Sequence, residues 1–330
     1  MSEARIVRAL GLCSGGLDSI LSALVLRQQG VQVHWVSFET PFFSSAKARK
    51  ASKHTGVPLM VRKITPVYLE MMRSPSVKFG KNMNPCMDCH TLMFRLAGEI
   101  MTEQGFDFLF SGEVLGQRPM SQTRTSLRYV EKHSGYDGYI LRPLSAKNMP
   151  ETIPEREGLV DRERLLDITG RSRKRQLQLA DQFGVTDFPA PAGGCLLTDK
   201  IFSRRLRDLF DHQERYPEKD LNLLNFGRHM RLDDQTKIVV GRTQSDNEGI
   251  SRCIDTNRDT VLKVEKFPGP LVVMPGGGSE AMTLLAAGIC AGYSKAPNHE
   301  PVAVSVQTGG RRRQVMVLGI PTAENKRYLI

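Results

Sequence analysis

The stretch Cys13-Ser14-Gly15-Gly16-Leu17-Asp18-Ser19 decides how the chain is read. An apolar run, residues 5–12 (RIVRALGL), precedes it, and an amphipathic run, residues 19–30 (SILSALVLRQQG), follows it. The seven residues therefore read as the turn from a first strand into a first helix. Two glycines let the backbone bend tightly and approach a ligand, while main-chain N–H groups and the helix N-terminus turn positive partial charge toward an anion. The same residues also suit an ordinary turn in which Ser or Asp caps the helix. The strand before and the helix behind favour a phosphate cradle. No Gly-Lys-Ser/Thr follows the glycines, which excludes a Walker A loop.

Outward from the turn, strand and helix patterns alternate. Residues 31–39 (VQVHWVSFE) read as a strand, 44–56 (SSAKARKASKHTG) as a helix ending on Gly56, and 58–64 (PLMVRKI) as a strand. Residues 89–105 then read as a helix and 106–113 (FDFLFSGE) as a short strand. This rhythm predicts an α/β domain, a parallel sheet with helices on both faces. Prolines and glycines in residues 188–197 (FPAPAGGCLL) mark a loop, taken as the boundary between a catalytic domain, 1–192, and a smaller C-terminal α+β domain, 193–330. A basic helix at 200–213 and short strands with Gly-rich turns are expected beyond it.

Length and composition bound the function. The 330 residues suffice for two domains that each bury a core, and the net charge of +11 suits a polyanion such as RNA. No stretch approaches the roughly 20 apolar residues of a membrane span, so no membrane partner and a cytoplasmic location are expected. In a reducing compartment the 6 cysteines are ligands, nucleophiles or core residues rather than disulfides.

The Cys13–Ser19 string resembles the PP-loop of the ATP pyrophosphatase superfamily, whose members bind ATP, release pyrophosphate and leave AMP on the substrate. Residues 111–123 (SGEVLGQRPMSQT) and 140–151 (ILRPLSAKNMPE) resemble stretches of the tRNA 4-thiouridine synthetases, the ThiI family. In an open parallel sheet ligands lie at the carboxyl ends of strands, where both strings fall. The resemblance covers about the first 190 residues. It implies ATP on Ser14, Gly15, Gly16, Asp18, Ser19, Gly112 and Gln117, with Mg²⁺ on the phosphates and Asp18 helping to position metal or phosphates. Family members usually carry an RNA-binding domain before the PP-loop domain, and many end in a rhodanese domain with a persulfide cysteine. This chain is expected to have neither, so RNA holding and sulfur delivery need other residues.

Cys86 and Cys89, in residues 84–90 (NPCMDCH), are candidates for delivery. A Cys-x-x-Cys pair suits a redox couple, one edge of a zinc site or two ligands of an iron–sulfur cluster. Zinc needs a fourth ligand, for which His90 or Asp88 is available. A thioredoxin-type couple is expected at a helix N-terminus in a different βαβ context and leaves Cys195 idle. With Cys195, which two glycines precede, the pair resembles the three-cysteine 4Fe-4S sites of a subset of PP-loop tRNA thiolation enzymes. That resemblance makes Cys86, Cys89 and Cys195 the cluster ligands and leaves one iron open for sulfide or for sulfur from a persulfide carrier. Cys13 and Cys290 read as buried core residues.

For RNA, residues 226–250 resemble the RNA-binding domain of NFACT-type ribosome quality-control proteins, the match resting on Gly241, Arg242 and Asn247. Arg311, Arg312 and Arg313 follow a Gly-Gly turn, and Lys174, in 170–176 (GRSRKRQ), opens a basic helix suited to RNA phosphate or leaving pyrophosphate. The sequence is thus expected to be a tRNA sulfurtransferase giving 4-thiouridine, for which a homodimer is an admissible assembly. Two alternatives stand beside it: 2-thiouridine synthesis by the same chemistry, and a non-catalytic RNA-binding quality-control factor with a relic PP-loop.

Overall fold

The structure is a computed structural model that describes residues 5–190, 195–297 and 299–330. The chain divides into two compact units, residues 1–198 and 199–330. The expected boundary between 192 and 193 lies outside the described residues, as do the two glycines before Cys195. Cys195 itself belongs to the first unit, because backbone contacts tie its loop there: Leu196 N–H donates to Phe42 O at 3.2 Å, and Asn82 Nδ2 donates to Thr198 O at 2.6 Å.

The first unit runs β1 (Arg8–Leu12), α1 (Leu17–Arg27), β2 (Gln32–Glu39), α2 (Ala46–Thr55), β3 (Leu59–Lys63), α3 (Thr65–Arg73), α4 (Cys86–Gln104), β4 (Phe108–Ser111), α5 (Arg124–Ser134), β5 (Ile140–Leu141), α6 (Ile153–Arg156) and α7 (Lys174–Gln182). Its five strands pair in parallel in the order β3-β2-β1-β4-β5. The chain winds outward one way from β1 to β3 and the other way from β4 to β5. That reversal opens a crevice at the carboxyl ends of β1 and β4, the usual ligand position in such sheets. Leu12 and Ser111 are register partners, so the Cys13–Ser19 turn and the loop after Ser111 leave the sheet side by side.

Apolar strands supply the core. Ala9, Phe108, Phe110 and Trp35 are essentially inaccessible and pack with the inner face of α1. Helix α3 and helix α5 have no counterpart in the sequence reading above. Helix α4 begins at Cys86, three residues before the expected start, so the cysteine pair does sit at a helix N-terminus and the positional argument against a redox couple does not hold.

The second unit contains α8 (Lys200–His212), α9 (Glu218–Leu223), β6 (Arg228–Arg231), β7 (Lys237–Val240), α10 (Gln244–Cys253), β8 (Thr260–Val264), β9 (Val272–Met274), α11 (Glu280–Gly292), β10 (Val302–Thr308) and β11 (Arg311–Val317). The strands form an antiparallel sheet in the order β11-β10-β8-β9-β7-β6. Side chains alternate across a strand, so the sheet has two apolar faces to cover. Ala287 and Cys290 of α11 close one over Val264 and Val304, while Ile250 and Cys253 of α10 close the other over Val239 and Val273. No helix among the described residues is long and apolar enough to cross a membrane.

Candidate nucleotide and thiol site

The turn after β1 is built as a cradle. Gly15 has φ +72° and lies so near α2 that an added Cβ would come within 2.2 Å of the Lys47 carbonyl carbon. Ser14 is exposed at the tip, and Ser19 Oγ folds back to donate to Gly16 O at 2.8 Å. From β4, Gly112 presses on the same turn, where a Cβ would meet Ser19 N at 2.4 Å and the Asp18 carbonyl carbon at 2.5 Å. Only glycine permits that approach. Cys13 is buried, and burial pushes its thiol up to about 11, which makes it inert rather than nucleophilic.

Asp18 collects polar neighbours from two segments, residues 117–118 and 173–176. Gln117 Nε2 donates to its Oδ2 at 3.0 Å. Burial raises the Asp18 pKa, against the Gln117 hydrogen bond, the charges of Arg173 and Arg118, and the Gln176 amide. Arg118 and Gln176 are not singled out by the sequence, whereas Arg173 stands in the basic 170–176 segment, from which Lys174 is the residue expected to act. The segment carrying Arg173 reaches the site because Leu115 and Thr169 form a parallel bridge, with Gly170 N–H donating to Leu115 O at 2.8 Å. Lys174 begins α7 and is exposed, so Arg173 rather than Lys174 is the charge from this segment that acts on Asp18.

The three cysteines come together in the first unit. Cys86 and Cys89 lie one turn apart at the start of α4, and Cys195 comes from the loop pinned beside residues 42 and 82. Each is half-buried. Burial is the main reason the Cys89 thiol is pushed up to about 12, with the Cys195 and Cys86 thiols adding to it. Cys195 rises to about 11, again mainly by burial and then by Cys86. Tyr68 is fully buried against all three, and burial followed by the thiols holds its phenol well above the ordinary value. These shifts run opposite to the lowered pKa of a redox-active thiol. Cys86, Cys89 and Cys195 are the thiol donors that would hold an iron–sulfur core.

For the fourth zinc ligand, Asp88 Oδ2 accepts Val77 N–H at 3.0 Å, while His90 Nδ1 donates to Glu113 Oε1 at 2.8 Å and so leaves its Nε2 as the nitrogen a metal could take. Among the described residues no group of three or more His, Cys, Asp and Glu side chains, the three cysteines included, is gathered around one ion position.

The Glu113 contact belongs to a buried network. Arg142 Nε donates to Glu113 Oε2 at 3.0 Å, Arg142 Nη1 donates to Glu131 Oε1 at 3.0 Å, and Ser111 Oγ donates to Glu113 Oε2 at 3.1 Å. Burial alone would raise the Glu113 pKa, but the Arg142 charge and His90 bring it down to about 2. Glu113 and Arg142 stand in the two strings quoted above, 111–123 and 140–151, yet nothing in the strings tells that they pair.

In the second unit, Arg242 is held by Asp246, its Nε donating to Oδ2 at 2.7 Å. Asn247 Oδ1 accepts Leu271 N–H at 3.0 Å and would stand 2.0 Å from a Cβ on Gly241. Gly241 and Asn247 therefore brace α10 against the sheet. On β11, Arg312 reaches Glu265 at 2.9 Å and Arg313 reaches Glu280 at 2.7 Å, while Arg311 has no ion pair among the described residues.

Residues 6–154 match the family model described as thiamine biosynthesis protein (ThiI), and residues 227–329 match that of the NFACT protein RNA binding domain. The first match lies within the first unit and the second within the second unit. A tRNA sulfurtransferase of Desulfurococcus amylolyticus is 32% identical over 161 residues, covering 47% of this chain and 33% of that protein. A probable tRNA sulfurtransferase of Finegoldia magna is 30% identical over 155 residues, covering 44% and 38%. The chain therefore spans between a third and two fifths of the length of these relatives. A solved 4-thiouridine synthetase–RNA complex with bound ATP is 22% identical, covering 54% of this chain and 52% of that one, at a TM-score of 0.35.

Proposed function

We propose that the chain is an ATP-dependent tRNA sulfurtransferase that adenylates a uridine carbonyl and replaces its oxygen by sulfur, giving 4-thiouridine. One observation carries this reading: the His90–Glu113 contact joins the helix turn bearing Cys86 and Cys89 to the strand end that presses on the Cys13–Ser19 cradle. The contact supports the reading by linking the cysteine-bearing turn to the loop beside the cradle.

ATP would lie on Ser14, Gly15, Gly16 and Ser19, with Gly112 and Gln117 beside it and Mg²⁺ next to Asp18. The uridine oxygen attacks the α-phosphorus, the bond to the β-phosphate breaks, and pyrophosphate leaves with its electron pair. The α1 N-terminus and the Arg173 charge favour the anion that leaves. A sulfur nucleophile then forms the C–S bond as the C–O bond to AMP breaks. Cys86, Cys89 and Cys195 would hold a 4Fe-4S cluster, which when bound supplies an iron position for sulfur. Tyr68 and the Glu113–Arg142 pair keep the thiol turn dry and fixed. Lys174, Arg242, Arg311, Arg312 and Arg313 would contact tRNA phosphates in a cytoplasmic enzyme.

The test is anaerobic incubation of iron- and sulfide-reconstituted protein with tRNA, ATP and sulfide, followed by mass spectrometry of the nucleosides. 4-Thiouridine supports the reading, and 2-thiouridine moves the reaction to C2. No thiolated product and no pyrophosphate release would overturn it and favour a non-catalytic RNA-binding factor.

A further inference from the structure

The loop that leads into α4 is folded around one side-chain amide. Asn84 Oδ1 accepts Asn82 N–H at 3.2 Å, and Asn84 O accepts Gly80 N–H at 3.0 Å. The other end of that amide is aimed at sulfur: Asn84 Nδ2 donates to Cys86 Sγ at 3.2 Å. A Cβ on Gly80 would stand 2.3 Å from Asn84 Nδ2, so glycine leaves the room in which the amide turns to the thiol. The same loop also reaches the third cysteine. Asn82 Nδ2 donates to Thr198 O at 2.6 Å, and Thr198 folds back on Cys195 O through its N–H at 3.1 Å and its hydroxyl at 2.7 Å.

Each sulfur has its own donor. Asn84 serves Cys86, the Tyr68 phenol serves Cys89, and the Leu197 main-chain N–H serves Cys195. A neutral thiol is a weak acceptor and gains little from such donors, whereas a thiolate bound to iron carries charge that an N–H or O–H stabilises. An iron–sulfur cluster takes its thiolates on separate irons, so its ligand sulfurs need not converge on one ion position. Hydrogen bonds to those sulfurs favour the electron-richer, reduced form and raise the reduction potential. We propose that Asn84 is a positioning residue of the thiol site, whose N–H···S bond fixes the Cys86 sulfur and raises the reduction potential of the cluster that sulfur helps to hold. Asn82 acts separately, by holding the Cys195 arm. The inference rests on the cluster-bearing reading above and adds to it a residue that sets the cluster's electronic properties.

The test uses the full chain, reconstituted anaerobically with ferrous iron and sulfide. Two quantities are read: the midpoint potential, by dye-mediated titration followed by electron paramagnetic resonance, and the rate of iron transfer to a chelator. Asn84→Ala should lower the equilibrium constant for one-electron reduction roughly three- to tenfold, the worth of one hydrogen bond, or up to about 59 mV. Iron transfer should speed by a similar factor. Gly80→Ala leaves Asn84 in the chain but pushes its amide off Cys86, and should lower the potential in the same direction. Asn82→Ala should speed iron transfer and leave the potential at its wild-type value. If Asn84→Ala does not fold or takes up no cluster, Gly80→Ala decides. Wild-type potentials in the loaded Asn84→Ala and Gly80→Ala proteins overturn the proposal, as does an Asn82→Ala shift equal to that of Asn84→Ala, which would make the loop rather than the N–H responsible. Failure of the wild type to take up iron and sulfide sinks the cluster-bearing reading itself, whereas a loaded cluster indifferent to Asn84 sinks this inference alone.

Discussion

His90 Nδ1 lies 2.8 Å from Glu113 Oε1, and this one contact ties the cysteine-bearing turn of α4 to the carboxyl end of β4. Cys86, Cys89 and His90 stand at positions i, i+3 and i+4, which share one helix face. Gly112, next to Glu113, touches the backbone of Asp18 and Ser19. Thiols and phosphate cradle are therefore held by neighbouring residues of a single loop.

That loop tolerates no bulk. Gly112→Ala would drive a methyl group to 2.4 Å from Ser19 N. The expected result is a loss of about 1–3 kcal/mol in urea unfolding, together with weaker ATP binding by calorimetry. Wild-type values on both would show that β4 and the cradle can separate freely.

Glu113 makes acid stability diagnostic. Its folded pKa, about 2, lies below the ordinary glutamate value of 4.5, so the carboxylate contributes stability that is present above about 4.5 and is lost as pH falls toward 2. Glu113 is only 6% exposed, so solvent screens the interaction little. The contribution is on the order of 3 kcal/mol at neutral pH. Glu113→Gln should therefore be markedly less stable than wild type at pH 7 and approach it near pH 2 to 3 in denaturant melts. A stability gap independent of pH would remove the ion pair with Arg142 as its cause.

The thiol group should act as a unit. Anaerobically reconstituted wild type should carry about four irons and four sulfides per chain. Replacing Cys86, Cys89 or Cys195 by Ser should lower both, while Cys253→Ala, in the core between α10 and the sheet, should leave them unchanged. Full iron content in Cys195→Ser would remove Cys195 from the ligand set.

On the second unit, the β11 arginines are unequal. Arg311 has no ion pair among the described residues, whereas Arg312 and Arg313 are shared with Glu265 and Glu280. Arg311→Ala should lower the magnitude of the slope of log K for tRNA binding against log salt by about 0.7–0.9, and Arg313→Ala by less. Equal slopes for wild type and Arg311→Ala would move RNA contact off this hairpin.

The sequence by itself determined the parallel sheet and the glycine turn from the first strand into the first helix, because these follow from local pattern. Alternating apolar runs specify strands, two glycines before a helix specify a cradle, and thiol spacing restricts the ligand chemistry. The tertiary structure decided which residues face one another. That Arg142 neutralises Glu113, that Arg173 and Gln176 reach Asp18 across more than 150 residues, and that Cys195 folds back onto Cys86 depend on strand order and on a bridge between Leu115 and Thr169. Such pairings are set by long-range packing, which leaves no periodic trace in the chain. The same holds for the arginines: composition announces a basic protein, but only the folded neighbourhood separates Arg311 from Arg312 and Arg313, whose charges are matched by acidic partners far away in sequence.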